Sequence, residues 1–349
     1  MEAVFISELK PFLDAVAQQM QLYVPKKSGE NYICTRYDPA NETPVEFNNI
    51  RTCTTIKEFL FPVCELASVY PEPVEPEDIK PFAVFGLKDC DLRSMKVLDK
   101  VFLEEDFEDL LYVRRREKMF IISTDCFDPA ENCFCSLLDG SPFAQSGFDL
   151  NVSKTKGGFI IEAGSQKGRD FIEKNTDLFT DVPQTALNER DQNRADAQKR
   201  LEQNNSEYRF DAPIKEIVEK CRESEAFDVE AESCVECQAC TRICPTCHCF
   251  YLYDTKQQDY FSKMKMWDSC MRMAYAAVAG GANPRKILGD RIKHRLLHKF
   301  VYFSDRYGID MCVGCGRCMD TCIGGTNTRD LLKKLNEEFK SNKKSKVTK

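Results

Sequence analysis

Two cysteine runs in the last third of the chain have the spacing of iron–sulfur ligands. The first, C-V-E-C-Q-A-C-T-R-I-C-P, supplies Cys234, Cys237, Cys240 and Cys244; the second, C-V-G-C-G-R-C-M-D-T-C, supplies Cys312, Cys315, Cys318 and Cys322. Both read C-x2-C-x2-C-x3-C, the pattern that grips a 4Fe–4S cube. A cubane needs four thiolates converging on one small volume. In two-cluster proteins three come from one run and the fourth from the other. The expected sets are therefore Cys234, Cys237 and Cys240 with Cys322, and Cys312, Cys315 and Cys318 with Cys244. Their chemistry is one-electron transfer. Zinc sites use C-x2-C pairs separated by gaps and match a four-cysteine run poorly. Pro245 follows Cys244, as in ferredoxins, whereas Ile323 follows Cys322; that position shapes a turn and binds nothing.

A third metal site is expected at Cys90, Cys126, Cys133 and Cys135. Cys90 follows the apolar run 82–87, and Cys126 follows the run 120–124. If these are neighbouring parallel strands, both cysteines emerge at the carboxyl edge of a sheet, where open α/β sheets build ligand sites. Cys133 and Cys135 lie in the turn-rich segment that follows. A third 4Fe–4S cluster is the preferred occupant; a structural zinc or plain thiols are the rivals. Cys90 is the member that Asp89, Asp91 or Asp125 could replace.

Other residues carry less. Cys247, Cys249 and Cys270, with His248 beside them, offer a further metal site, against which stands simple packing of small apolar thiols. Cys34, Cys53, Cys64 and Cys221 are isolated and read as core or surface thiols. His294 and His298 share a helix face at i, i+4, yet no H-E-x-x-H pattern surrounds them. The basic stretch Arg285 to Lys299 either offsets cluster charge or forms a solvated helix face. Gly314 and Gly316 let the backbone approach a cluster closely. No P-loop or G-x-G-x-x-G occurs, so no NAD or flavin is expected in this chain.

The elements that must position these residues follow from pattern. The chain has 349 residues, 19 cysteines and a formal net charge of −7. That length allows two or three domains. The acid balance disfavours nucleic acid as a partner, and no apolar stretch is long enough to span a bilayer. An odd count of cysteines cannot all pair as disulfides, which points to a reducing cytoplasm. Residues 5–20 have helical periodicity; 32–37, 82–87 and 120–124 read as strands, and 151–153 with 159–163 as a hairpin split by Gly157-Gly158. The fold class is α+β or α/β: an α/β domain over 1–185, a polar connector over 186–212, and a mainly helical ferredoxin-like domain with two 4Fe–4S clusters over 213–335. Residues 336–349 read as a disordered basic tail.

Several blocks carry a family resemblance. Cys234 to Phe250, Trp267-Asp268-Ser269-Cys270, Arg291 to Phe300 and Cys312 to Cys322 resemble the β subunit of cytoplasmic sulfhydrogenases and, equally, the A subunit of anaerobic sulfite reductase. Lys57 to Pro62, Phe85 to Asp91 and Cys126 to Cys135 extend the match through the first half, over about residues 1–330. The resemblance implies a dedicated electron carrier seated beside a flavin- and NAD(P)-binding subunit, passing electrons to or from a catalytic subunit of an oxidoreductase complex. The alternative is an oxidoreductase in its own right, whose first domain binds flavin or substrate beside the third site.

Overall fold

Short apolar runs buried on both faces build the first half of the chain. The computed structural model describes residues 3–40, 44–47, 51–71, 79–104, 107–257 and 260–347. They divide into two units: one runs to Leu60 and resumes up to Asn204, and the other takes the segment from Phe61 and everything from Asn205.

The first unit opens with strand β1 (Ala3–Ile6), helix α1 (Leu9–Gln19), strands β2 (Gln21–Ser28) and β3 (Asn31–Arg36), and helix α2 (Ile56–Leu60). Strand β4 (Cys64–Tyr70) belongs to the second unit. The first unit continues with β5 (Phe82–Leu87), α3 (Asp89–Phe102), α4 (Leu110–Lys118), β6 (Met119–Thr124), the hairpin β7 (Leu150–Thr155) and β8 (Gly158–Ala163), α5 (Gln166–Lys174) and α6 (Gln184–Asn204). The sheet order is β1-β8-β7-β6-β5-β2-β3. Its centre, β2 through β5 and β6 to β7, is parallel. Every residue of β6 is buried, as expected of a strand covered on both faces. Phe12, Leu13 and Val16 of α1 pack into a core with Leu22, Phe85, Ile122, Leu150 and Phe171.

The second unit adds α7 (Ile214–Lys220), α8 (Ala226–Ala231), α9 (Ala239–Arg242), β9 (Phe250–Gln257), β10 (Tyr260–Trp267), α10 (Leu288–Leu297), α11 (Phe303–Tyr307), α12 (Arg317–Asp320) and α13 (Thr328–Val347). A π turn, His298–Tyr302, joins α10 to α11. Strands β4, β10 and β9 form an antiparallel sheet. Lys265 of β10 pairs in register with Glu65 of β4, and the two form an ion pair with both side chains buried. The Trp267 indole N–H donates to the Phe61 carbonyl at 2.9 Å.

Three expectations differ from this architecture. The 186–212 connector, expected as an exposed helix or a mobile link, is mostly helix α6, and it differs in packing Ala186, Ala197 and Leu201 inward; its arginines pair with partly buried carboxylates, so its polarity is not solvation. The expected tail is helical as far as Val347; residues 348 and 349 lie outside the described residues. The mainly helical domain also carries a three-stranded sheet, because Phe250–Gln257 and Tyr260–Trp267 form a hairpin that recruits Cys64–Tyr70 from far up the chain.

Candidate metal centres

The two cysteine runs are shaped alike. Glu236 and Gln238 in the first run, and Gly314 and Gly316 at the equivalent places in the second, all adopt positive φ (55°, 63°, 67° and 76°). These left-handed residues curl each run back on itself, and glycine adopts them without the cost a side chain adds. Each run then enters one short helical turn: Cys240 lies on α9 and Cys318 on α12.

The runs exchange their last cysteines. A cavity of about 40 Å3 is lined by Cys234, Cys237, Cys240, Cys318 and Cys322. Cys240 feels the charges of Cys318, Cys234 and Cys322. Cys312 and Cys315 each instead face Cys318 and Cys244. The eight cysteines of the two runs are therefore brought together, with Cys318 facing members of both expected sets.

Cations surround them where the chain is driest. Arg291, Arg295 and Lys299 recur every fourth residue along α10 and the π turn, and all three are buried, as is Arg317. The solvated-face alternative fails for these residues: Arg295 and Lys299 face thiol sulfur and Arg291 faces Glu236, while Lys286 and Lys293 stay toward solvent. The Lys299 ammonium donates to Cys244 Sγ at 3.4 Å and to Thr246 Oγ1 at 3.2 Å. Burial alone depresses Lys299, and the thiolates of Cys244, Cys247 and Cys312 more than reverse it, so it stays charged. Arg291 pairs with Glu236 at 2.7 Å. Arg295, which lines the cavity, keeps a buried Nε without a hydrogen-bond partner. A buried guanidinium is costly unless something anionic meets it.

The thiols themselves point to metal. Burial pushes Cys312 up to about 12 and Cys315 up to about 11, and it raises Cys240 as well. Bare thiolates are disfavoured here, whereas bound metal deprotonates its cysteine ligands outright. An iron–sulfide cube with thiolate ligands supplies both the cation for the thiols and acceptor sulfur for Arg295. The donor set fits it.

Of the third expected quartet, Cys126, Cys133 and Cys135 lie together, and Cys90 faces the same lysine as Cys126. Strands β5 and β6 are parallel neighbours, Cys90 sits in the first turn of α3, and Cys126 follows β6 at the same edge. Cys133 and Cys135 return to it through a loop pinned by Cys126 N–H to the Pro142 carbonyl (2.6 Å) and Gly140 N–H to the Cys135 carbonyl (2.9 Å). Cys135 is held up first by burial, then by Cys133 and Cys126. Sequence reasoning missed Lys88. It is buried, donates to Thr124 Oγ1 at 2.8 Å and to the Asp125 carbonyl at 2.9 Å, and feels Cys126 and Cys90. Arg93, beside Cys135, keeps a buried Nη1 without a hydrogen-bond partner. The acidic substitutes for Cys90 have protein partners. Asp125 is held by Arg194 at 2.8 Å and Ser153 at 2.8 Å, Asp91 accepts from Lys88 N–H at 3.0 Å, and Asp89 accepts from Ser141 N–H at 3.3 Å.

Elsewhere, the three histidines of the chain meet in one cluster, His294 stacked on His298 and His248 edge-on to it. The rings of His248 and His298 lie 5.6 Å apart, and those of His294 and His298 6.0 Å apart. Burial drives His298 down to about 3 and His294 to about 4, so both are neutral. Cys221 donates to the Leu335 carbonyl at 3.4 Å as a core thiol.

Comparison with known proteins agrees with this geometry. Residues 233–326 match the 4Fe–4S dicluster domain family. Over 317 residues the chain is 32% identical to the sulfhydrogenase 2 subunit beta of Pyrococcus furiosus, an alignment covering 89% of this chain and 91% of that protein. Among the described residues no helix is long and apolar enough to cross a membrane.

Proposed function

The chain belongs to the sulfhydrogenase β-subunit family, and we propose that, as an iron–sulfur electron-transfer subunit, it relays single electrons between a flavin- and NAD(P)-binding subunit and a catalytic subunit of a cytoplasmic oxidoreductase complex. Two 4Fe–4S clusters carry the relay in a ferredoxin-like arrangement. Cys234, Cys237, Cys240 and Cys322 hold one, and Cys312, Cys315, Cys318 and Cys244 hold the other. Cys90, Cys126, Cys133 and Cys135 hold a third in the first unit, with Lys88 and Arg93 offsetting its charge. The observation that supports the reading is that Cys322 lines a cavity with Cys234, Cys237 and Cys240 while Cys244 faces Cys312 and Cys315, with Arg295 and Lys299 buried among them. Chemistry on substrate belongs to the partners; this chain contributes ligation, spacing and potential.

Iron analysis of anaerobically purified chain tests the ligand sets. Three cubanes give about twelve irons and two give about eight. Cys126→Ser removes about four from the first total and none from the second. Capture from native extract tests the partners. A flavin-bearing subunit should copurify, and the chain alone should lack flavin absorbance. Flavin in the isolated chain, with turnover, would instead make it an enzyme in its own right.

A further inference from the structure

Five cysteines of the second unit belong to none of these quartets, and beside the isolated Cys64 and Cys221 three of them lie close together in the chain's fold. Cys247 and Cys249 follow the first run in P-T-C-H-C-F, and Cys270 closes W-D-S-C. The β9–β10 ladder brings the last two together. It ends with Phe250 opposite Trp267, and beyond it the Asp268 N–H donates to the Cys249 carbonyl at 2.8 Å. The chain then turns, so that both the thiol and the backbone N–H of Cys270 donate to the Cys249 sulfur, joined by the Tyr275 hydroxyl. Cys270 is buried and Cys249 half-buried. Cys247 donates to Cys244 and also feels the charge of Cys270.

We propose that Cys249 and Cys270 are a redox-active pair, cycling between dithiol and disulfide as a two-electron store beside the clusters. The proposal rests on the cluster reading above, because the clusters supply and accept the electrons. In the reducing direction two reduced 4Fe–4S clusters give up one electron each, the S–S bond between Cys249 and Cys270 breaks, and each sulfur takes one proton from solvent. The reverse step forms that bond, releases two protons and returns one electron to each cluster. Cubanes move electrons singly, so the pair gives the relay a place to hold two at once.

Three features favour this over packing or a metal site. The contact is between two sulfurs, and the third group on Cys249 is the Tyr275 hydroxyl, which is no metal ligand here. A backbone N–H of one partner reaching the sulfur of the other brings the two cysteines to the close approach a disulfide requires. The Cys270 thiol, with Tyr275 and the Cys270 N–H, holds Cys249 down to about 6 against burial. A thiol ionised near neutral pH is the competent attacking partner in exchange.

The test uses the full chain, purified anaerobically and equilibrated in dithiothreitol redox buffers. Free thiols are trapped with iodoacetamide in denaturant, and the peptides are mapped by mass spectrometry. A Cys249–Cys270 linked peptide should form under oxidising buffer and vanish when dithionite reduces the clusters, with iron content unchanged. In reductive titration Cys249→Ser and Cys270→Ser should each take up two fewer electrons per chain at full iron. Full iron with no linked peptide at any buffer ratio overturns the proposal. So does loss of about four irons in either variant, which would make the pair cluster ligands. Should a variant fail to fold, the wild-type map alone decides. A chain without iron refutes the cluster reading, and a dithiothreitol-dependent link in that same chain would still identify the pair.

Discussion

Replacing Lys299 with methionine removes one buried positive charge from beside Cys244 while keeping most of the side chain's bulk. The ammonium stands 3.4 Å from the Cys244 sulfur. Charge added on reduction spreads over the cube beyond that sulfur, so a separation of about 5 Å and an effective dielectric near 20 give about 3 kcal/mol. For a one-electron couple, at about 59 mV per tenfold change in equilibrium constant, this is roughly 140 mV. Relaxation and entry of water reduce it, and the expected shift is about 60–140 mV. The sign is fixed: the reduced cluster carries the extra negative charge, so losing the cation lowers its potential. Potentiometric titration followed by electron paramagnetic resonance reads the clusters separately. The cluster ligated by Cys244 should move most, and Lys299→Arg should move it least. A Lys299→Met chain with full iron and unmoved potentials would refute the assignment of this lysine as a countercharge.

Further outcomes follow from burial and titration. Glu65→Gln leaves Lys265 buried without its ion-pair partner and should cost about 3–5 kcal/mol, read as a lower denaturation midpoint of the second unit. Phe12→Ala empties a fully buried position and should cost the first unit about 3–5 kcal/mol by the same measurement. His298 is held neutral down to about 3 by burial, whereas in the unfolded chain it titrates near 6.5. The unfolded state therefore binds the extra proton between these values. Stability is fully present above the unfolded value and falls as pH drops from about 6.5 toward 3. His298→Phe should flatten that slope in thermal unfolding measured across pH.

The centre of the first unit was legible because its signals are local. Residues 82–87 and 120–124 are apolar runs of strand length, and they do become parallel neighbours that deliver Cys90 and Cys126 to one edge. The run from 5 to 20 was half legible. Helical periodicity held from Leu9, but Phe5 and Ile6 pair with β8, more than 150 residues later. Pairing at that distance leaves no mark on a short window, and the same blindness hid the departure of Cys64–Tyr70 into the other unit. The buried cations were legible as a basic stretch and no further. Whether Arg295 faces water or sulfur depends on what lies opposite α10, and that is set by Cys240, Cys244 and Cys247 far upstream together with Cys318 downstream. Lys88 and Tyr275 left no signal, because single residues of common type acquire their roles only from the folded neighbourhood.

The swapped ligands also govern how this protein is made. A nascent chain that has emerged only through residue 311 exposes the first run complete, yet it lacks the residue that closes either cube: Cys322 for one, and Cys312, Cys315 and Cys318 for the other. Iron delivered at that moment meets an open three-thiolate cup. The cell must either withhold its cluster-loading machinery until translation passes Cys322, or load both cubes in one concerted event. A C-terminal deletion that spares the first run should therefore lose about eight irons and keep only the four of the Cys90–Cys135 site.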